Sequence, residues 1–363
     1  MVERESALTP RSSVANPTAL DRRNGTTLEQ VASRAGVSRA TVSRVVNGSP
    51  RVSPDVRRGV EAAIQQLGYV PNRAARSLVT RRSGSVAVVI AEPTPRLFTD
   101  PFFPRLLRGV SAALSARDLQ LVLLMPASPD EARRTGDYLA AGHVDGALMV
   151  SLHGADPLPA RLAAAGVPMV AAGRPPHGTT ASYVDVDNRG GARTAVEHLV
   201  DGGRRMVGTI AGPQDMTPGI DRLGGYRDAL AAADREADPR LEAIGDFTQE
   251  SGVLAMERLL AARPDIDGVF AASDLMAAGA ISALAAAGRR IPEDVAVVGF
   301  DDSPVATTIR PALTSVRQPI EEMGHEMARL LIDAVGGRDP VVRRVILDTE
   351  LIRRASSAGR PTP

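Results

Sequence analysis

Six side chains between positions 38 and 47 fall where a helix would turn them to one side: Ser38, Arg39, Ala40, Thr41, Arg44 and Asn47. Val42, Val45 and Val46 form an apolar stripe on the opposite side. Hydroxyl and guanidinium groups address phosphates and base edges, and Arg44 can grip a guanine with two hydrogen bonds. Ala40 is small enough to let such a helix sit deep in a major groove. A solvated helix face can have the same composition, so the surroundings decide. Nothing comparable nominates catalysis. There is no G-x-G-x-x-G after the first strand of the body, no P-loop and no G-x-S-x-G elbow. The five histidines, at 143, 153, 177, 198 and 325, lack metal-ligand spacing. No catalytic residue, metal ligand or cofactor is expected, and neither is an enzyme.

The elements around that helix favour a DNA reader. Thr26 with Glu29, and Thr27 with Gln30, have capping-box spacing, and Leu28, Val31, Ala32 and Ala35 follow at helical intervals. Gly36 stops this first helix and Ser38 can cap the second, which Asn47-Gly48 ends. Ser53-Pro54 opens a third, with Val56, Val60, Ile64 and Leu67 as its apolar face and Gly68 as its stop. Three short helices with a tight glycine turn between the first two make a helix-turn-helix, expected over residues 26–70. Residues 1–25 lack periodicity and read as a disordered tail.

Charge separates this head from the rest. Residues 1–84 hold 14 arginines against 6 acids, a surplus of +8 that leaves −7 for the remainder of a chain whose net charge is +1. A basic head on an acidic body implies a polyanionic partner for the head. At 363 residues and 44% hydrophobic content, two or three packing units are expected. No apolar run approaches the roughly 18 residues of a membrane span. The first 25 residues have no apolar centre for a secretory signal, and the absence of cysteine suits a reducing compartment. The expected location is the cytoplasm, at the nucleoid, with no membrane partner.

From Ser85 onward short apolar runs recur at 86–90, 119–125, 144–150, 167–172, 205–211, 267–273 and 295–300. Ala- and Leu-rich helical stretches separate most of them. This alternation implies parallel sheets flanked by helices, here as two doubly wound subdomains. One further strand-like run lies in VRRVILDTELIRRAS, and no repeat is visible in the sequence.

TLEQVASRAGVSRATVSRVVNG, VSPDVR and LGYVPNRAARSL together resemble the DNA-binding headpiece of the lactose-repressor (LacI/GalR) family of bacterial transcription regulators. The resemblance continues through DPFFPRLLRG (100–109), VDVDN (184–188), GDFTQESG (245–252), SDLMAAGA (273–280), PEDVAVVGFDDSPVA (292–306) and RPALTSVRQPIEEMG (310–324), spanning roughly residues 27–354. It implies a hinge within residues 71–84, with a helix at 72–78 that orders on operator DNA. There Asn72, Arg73 and Arg76 would approach the minor groove and Leu78 would wedge between base pairs. Val79 departs from the basic residue often found at its position.

The resemblance further implies a periplasmic-binding-protein type I body over residues 85–355, followed by a tail at 356–363. The first subdomain is expected at about 85–187 and 319–342, and the second at about 188–317 and 343–355. Ligands of such folds lie beyond the carboxyl ends of the strands. Phe102 and Phe103, two of only ten aromatics, follow the first body strand and could stack on a sugar or base, with core packing the alternative for either ring. Carried over by motif, Arg222 and Asp301 are the polar effector contacts, and Phe247 is a further stacker. Ser273 replaces the usual Asn and Gly173 the acid that often precedes Arg174, so Arg174 and Ser273 border the site with fewer polar groups. Gly203 stands where a His is usual. The function implied is a repressor on a palindromic operator, a homodimer or tetramer, controlled by a small molecule with a carbohydrate as first candidate. The alternative is a regulator of the same fold controlled by a protein corepressor or a non-sugar ligand.

Overall fold

A computed structural model describes residues 26–46, 48–70, 82–154, 156–175, 181–337 and 341–358. Contacts divide the chain into Met1–Arg81 and Arg82–Pro363.

The first unit holds α1 (Leu28–Ala35), α2 (Arg39–Val46) and α3 (Pro54–Leu67). Thr27 and Gln30 close a reciprocal capping box on α1. Thr26 does not cap; its hydroxyl donates to the Leu67 carbonyl at 2.8 Å and ties the start of α1 to the end of α3. Gly36 ends α1 at φ 67°, a left-handed conformation that admits glycine without strain. Val31, Ala32, Val42, Val45, Val60, Ala63 and Tyr69 make the small core, and Val56, Ile64 and Leu67 pack at its margin.

The second unit has two six-stranded sheets. The first comprises β1 (Ser85–Ile90), β2 (Gln120–Leu124), β3 (Gly146–Val150), β4 (Met169–Ala172), β5 (Ser182–Val186) and β11 (Arg344–Leu347). The second comprises β6 (Val207–Ala211), β7 (Glu242–Ile244), β8 (Gly268–Ala271), β9 (Ala296–Asp301), β10 (Thr314–Arg317) and β12 (Glu350–Ile352). The strand orders, β11-β5-β4-β3-β1-β2 and β12-β10-β9-β8-β6-β7, are the same topology twice, although the sequence carries no visible repeat. Pairing is parallel throughout except that β12 runs antiparallel to β10.

Between the strands lie α4 (Thr94–Thr99), α5 (Phe102–Ser115), α6 (Pro129–Ala140), α7 (Leu158–Ala164), α8 (Asn188–Asp201), α9 (Thr217–Ala232), α10 (Gln249–Ala262), α11 (Asp274–Ala286), α12 (Pro304–Thr308) and α13 (Ile320–Val335). Although it follows β10 of the second sheet, α13 packs on α5 over the first. Gly109 and Gly324 sit where the helices cross, and a Cβ on either would strike the other helix's backbone.

The chain crosses between sheets after β5, after β10 and after β11. The last crossing corrects the expected boundary at 342/343. Arg344–Leu347 still belongs to the first sheet, with Val345 opposite Val184, so the crossing falls at Asp348-Thr349. VRRVILDTELIRRAS is therefore two strands in two sheets, because those two polar residues break the run as the chain passes over.

Candidate functional site

On α2, Val42 and Val45 are buried while Arg39, Ala40 and Arg44 are exposed, with Ser38 exposed just ahead of them and Thr41 half-buried. Ser38 Oγ accepts from the Thr41 amide at 3.2 Å and lies 2.9 Å from Thr41 Oγ1, which fixes the start of the helix. Arg39 Nε meets Glu29 Oε1 at 3.0 Å in a pair that is mostly exposed on both sides. Such a pair is worth little in water. Asn47, Asn72, Arg73, Arg76 and Leu78 lie outside the described residues, as do the expected hinge helix and Val79.

In the body, the ends of strands from both sheets converge on one cleft of about 760 Å³, its open mouth included. Arg222, from α9, is its buried centre. Its Nε donates to Asn188 Oδ1 at 2.8 Å and its Nη1 to the Ala272 carbonyl at 2.6 Å. Its guanidinium carbon lies 3.7 Å from the centroid of the Phe300 ring, a stacked cation–π contact. Asp301 Oδ1 stands 3.7 Å from Nη1 and accepts from Gln318 Nε2 at 2.5 Å. Burial lowers the Arg222 pKa, against the pull of Asp301, Asp185, Asp274 and Asp100. Burial likewise raises the carboxyls of Asp100, Asp185, Asp274 and Asp301 above the usual range.

Several strand ends are held in conformations that L-residues avoid. Ser151, Phe247, Asp301 and Asp302 have φ of 57°, 69°, 112° and 45°. For a ring as large as Phe247 this is an outlier of the kind that concentrates at binding sites. It lays the Phe247 ring over Gly212, where a Cβ would collide with it.

All seven candidate effector residues line this cleft: Phe102, Phe103, Arg174, Arg222, Phe247, Ser273 and Asp301. Their roles in the structure differ. Phe103 is also a core residue, 1% exposed and packed with Leu106 and Val110, while half-buried Phe102 meets it edge-on at 5.4 Å between centroids. Arg174, half-exposed, donates from Nη2 to both carboxylate oxygens of Asp221, at 2.7 and 2.8 Å. Ser273 is buried and caps α11, its Oγ accepting from the Met276 amide at 3.2 Å. Gly173 adopts φ 82°, so an acid there would be strained. Asp185 brings a carboxylate to that corner and receives the Arg174 amide at 3.0 Å.

Residues not singled out from sequence complete the lining, among them Arg96, Asp100, Asp185, Asn188 and Gln318. Asp100, Asp185 and Asn188 sat within the motifs DPFFPRLLRG and VDVDN, which was the available signal. Nothing in the sequence pointed to Arg96. Across the mouth, His153 Nδ1 lies 2.7 Å from Asp215 Oδ2 and Nε2 3.6 Å from Glu92 Oε1, joining the two subdomains. The arrangement offers carboxylates and amide oxygens as acceptors, guanidinium groups as donors, and aromatic and thioether walls from Phe102, Phe247 and Met216. That combination suits a compact polyhydroxylated molecule.

The profile of bacterial regulatory proteins of the lacI family matches residues 27–72, and that of the periplasmic binding protein-like domain matches 196–357. The HTH-type transcriptional regulator CelR of Thermobifida fusca is 54% identical over 340 residues, 93% of this chain and 100% of CelR. A solved transcriptional regulator CelR–cellobiose complex superposes with a TM-score of 0.74 at 53% identity, covering 91% of this chain and 99% of that one. The lac repressor dimer bound to operator and the anti-inducer ONPF gives a TM-score of 0.80 at 28% identity, covering 92% and 99%. A lacI-type helix-turn-helix, the doubled parallel-sheet body and a full-length relative at 54% identity lead to one conclusion: the chain belongs to the LacI family of bacterial DNA-binding transcription regulators.

Proposed function

We propose that the protein is a sugar-controlled transcriptional repressor, acting in the cytoplasm as a homodimer on a palindromic operator, and that its effector is a neutral saccharide of the cellobiose type. The observation that carries the effector class is the cleft centred on Arg222, where buried acceptors and donors face aromatic walls. Its cations are already engaged, Arg222 by Asn188 and Asp301, Arg174 by Asp221 and Arg96 by Glu92. Hydroxyl groups suit such a site better than a phosphate. Likeness to CelR, solved with cellobiose, supports the saccharide, and likeness to the lac repressor dimer on operator supports the assembly and the DNA target.

In this reading α2 enters the major groove. Arg44 takes a guanine edge, Ala40 permits close approach, and Ser38, Arg39, Thr41 and Asn47 contact phosphates and neighbouring bases. Asn72, Arg73, Arg76 and Leu78 belong to a hinge that acts in the minor groove. Phe102 and Phe247 stack on the sugar, Phe103 backs Phe102, and Asp301 with Arg222 holds its hydroxyls. The effector acts by binding one relative arrangement of the subdomains better than another. Calorimetric titration of the full chain with cellobiose tests the effector. Saturable binding is expected, and at a hundredfold excess over Kd the folded state gains about 2.7 kcal/mol, visible as a raised melting temperature. No heat and no thermal shift with cellobiose, its longer oligomers or glucose would remove sugar from this reading.

A further inference from the structure

Arg96, on α4, lines the cleft and pairs with Glu92 of the loop after β1, a contact that no motif announces. Arg96 donates from Nη1 to Glu92 Oε2 at 2.8 Å, with the two side chains 14% and 3% exposed. The Arg96 guanidinium carbon stands 5.5 Å from the centroid of Phe247, which belongs to the other subdomain. Arg222 lies 5.8 Å from the same centroid, so two guanidinium groups address one aromatic ring. Asp100 is within electrostatic reach of both.

The Glu92–Arg96 pair is incompletely satisfied. Arg96 Nε is buried without a hydrogen-bond partner, and Glu92 Oε1, also without one, faces His153 Nε2 only as an ion pair at 3.6 Å. A buried pair left short of partners is costly to the free protein, and the placement of its Arg96 on the wall of a binding cleft calls for an explanation. Arg222 has its own set of partners in Asn188, Ala272 and Asp301. The cleft thus has two guanidinium centres with separate partners, both set against the Phe247 ring. Because Glu92 neutralises Arg96, the second centre offers directional donors without a free positive charge, which favours hydroxyls over an anion.

We propose that the Glu92–Arg96 pair is a second effector-binding pole that receives the second ring of a disaccharide and so makes the protein select disaccharides over monosaccharides. This rests on the saccharide reading above. The test is titration calorimetry of the full chain with cellobiose and, by competition where heats are small, with glucose. Arg96→Ala should weaken cellobiose at least tenfold, towards the affinity for glucose, while glucose binding stays within twofold. Glu92→Gln, which keeps the side-chain shape but releases Arg96, should move selectivity the same way. Arg96→Lys, which keeps charge but loses the planar fork, should restore only part of it. Melting curves establish that each variant is folded. If Arg96→Ala and Glu92→Gln retain the wild-type preference for cellobiose, or lose both sugars equally, the second pole is overturned. If the wild type binds neither sugar, the saccharide reading itself fails and this proposal falls with it.

Discussion

Arg222 keeps a full charge inside the body because every side of it is met: Asn188 and the Ala272 carbonyl in its plane, Phe300 beneath it, and Asp301 beside it. Its removal would strand buried carboxyls that burial already pushes upward. Arg222→Ala should therefore cost about 3–5 kcal/mol in urea unfolding. Arg174→Ala, which loses a half-exposed pair with Asp221, should cost about 0.2–1 kcal/mol. Similar losses for the two would contradict the central place given to Arg222. At this scale the sequence was legible where a motif named the residue, as for Arg222 and Asp301. It was less so where one side chain had to serve two demands. Ser273 reads as a shortened ligand contact but caps α11, and Phe103 reads as a stacker but belongs to the core as well. Arg96 was invisible, since its importance depends on α4 bringing it to Phe247 in the other subdomain.

Between elements, the loop after β3 and the loop ahead of α9 are clasped by His153. Glu92 at 3.6 Å and Asp215 at 2.7 Å hold its imidazole protonated, with the pKa pushed up to about 9 against partial burial. Because the folded pKa lies above the ordinary 6.5, the clasp stabilises the fold fully below about pH 6.5 and loses its effect as pH rises through about 9. His153→Gln should lower the melting temperature at pH 6 and converge with wild type by pH 10. A gap that stays constant with pH would mean that packing, not charge, makes the contact. Elements were readable where burial was apolar, as in the seven runs that contain or overlap β1 to β4, β6, β8 and β9. β10 was missed because two of its three buried side chains are hydroxyls: Thr314 bonds to the Arg354 carbonyl at 3.1 Å and Ser315 to Asp274 at 2.5 Å. β5 carries Asp185, and β7 is three residues long and begins with Glu242, so neither stands out as an apolar run.

At the scale of the molecule, the split of +8 over residues 1–84 and −7 beyond confines attraction for DNA to the head. The body offers a cleft between two sheets of the same topology, joined by three crossings and bridged across its mouth. A ligand that prefers one arrangement of the two subdomains can shift the body between states, and in the proposed reading the segment leading to the head carries that shift. The most direct measurement is fluorescence anisotropy of the full chain on an operator selected from random DNA, with and without saturating cellobiose, for wild type and Asp301→Asn. The expected result is an operator affinity that changes at least tenfold with the sugar in wild type, and an Asp301→Asn variant that binds operator normally but ignores the sugar. A wild type that binds cellobiose with no change in operator affinity, or an Asp301→Asn variant that still responds, would contradict control of the head through this cleft.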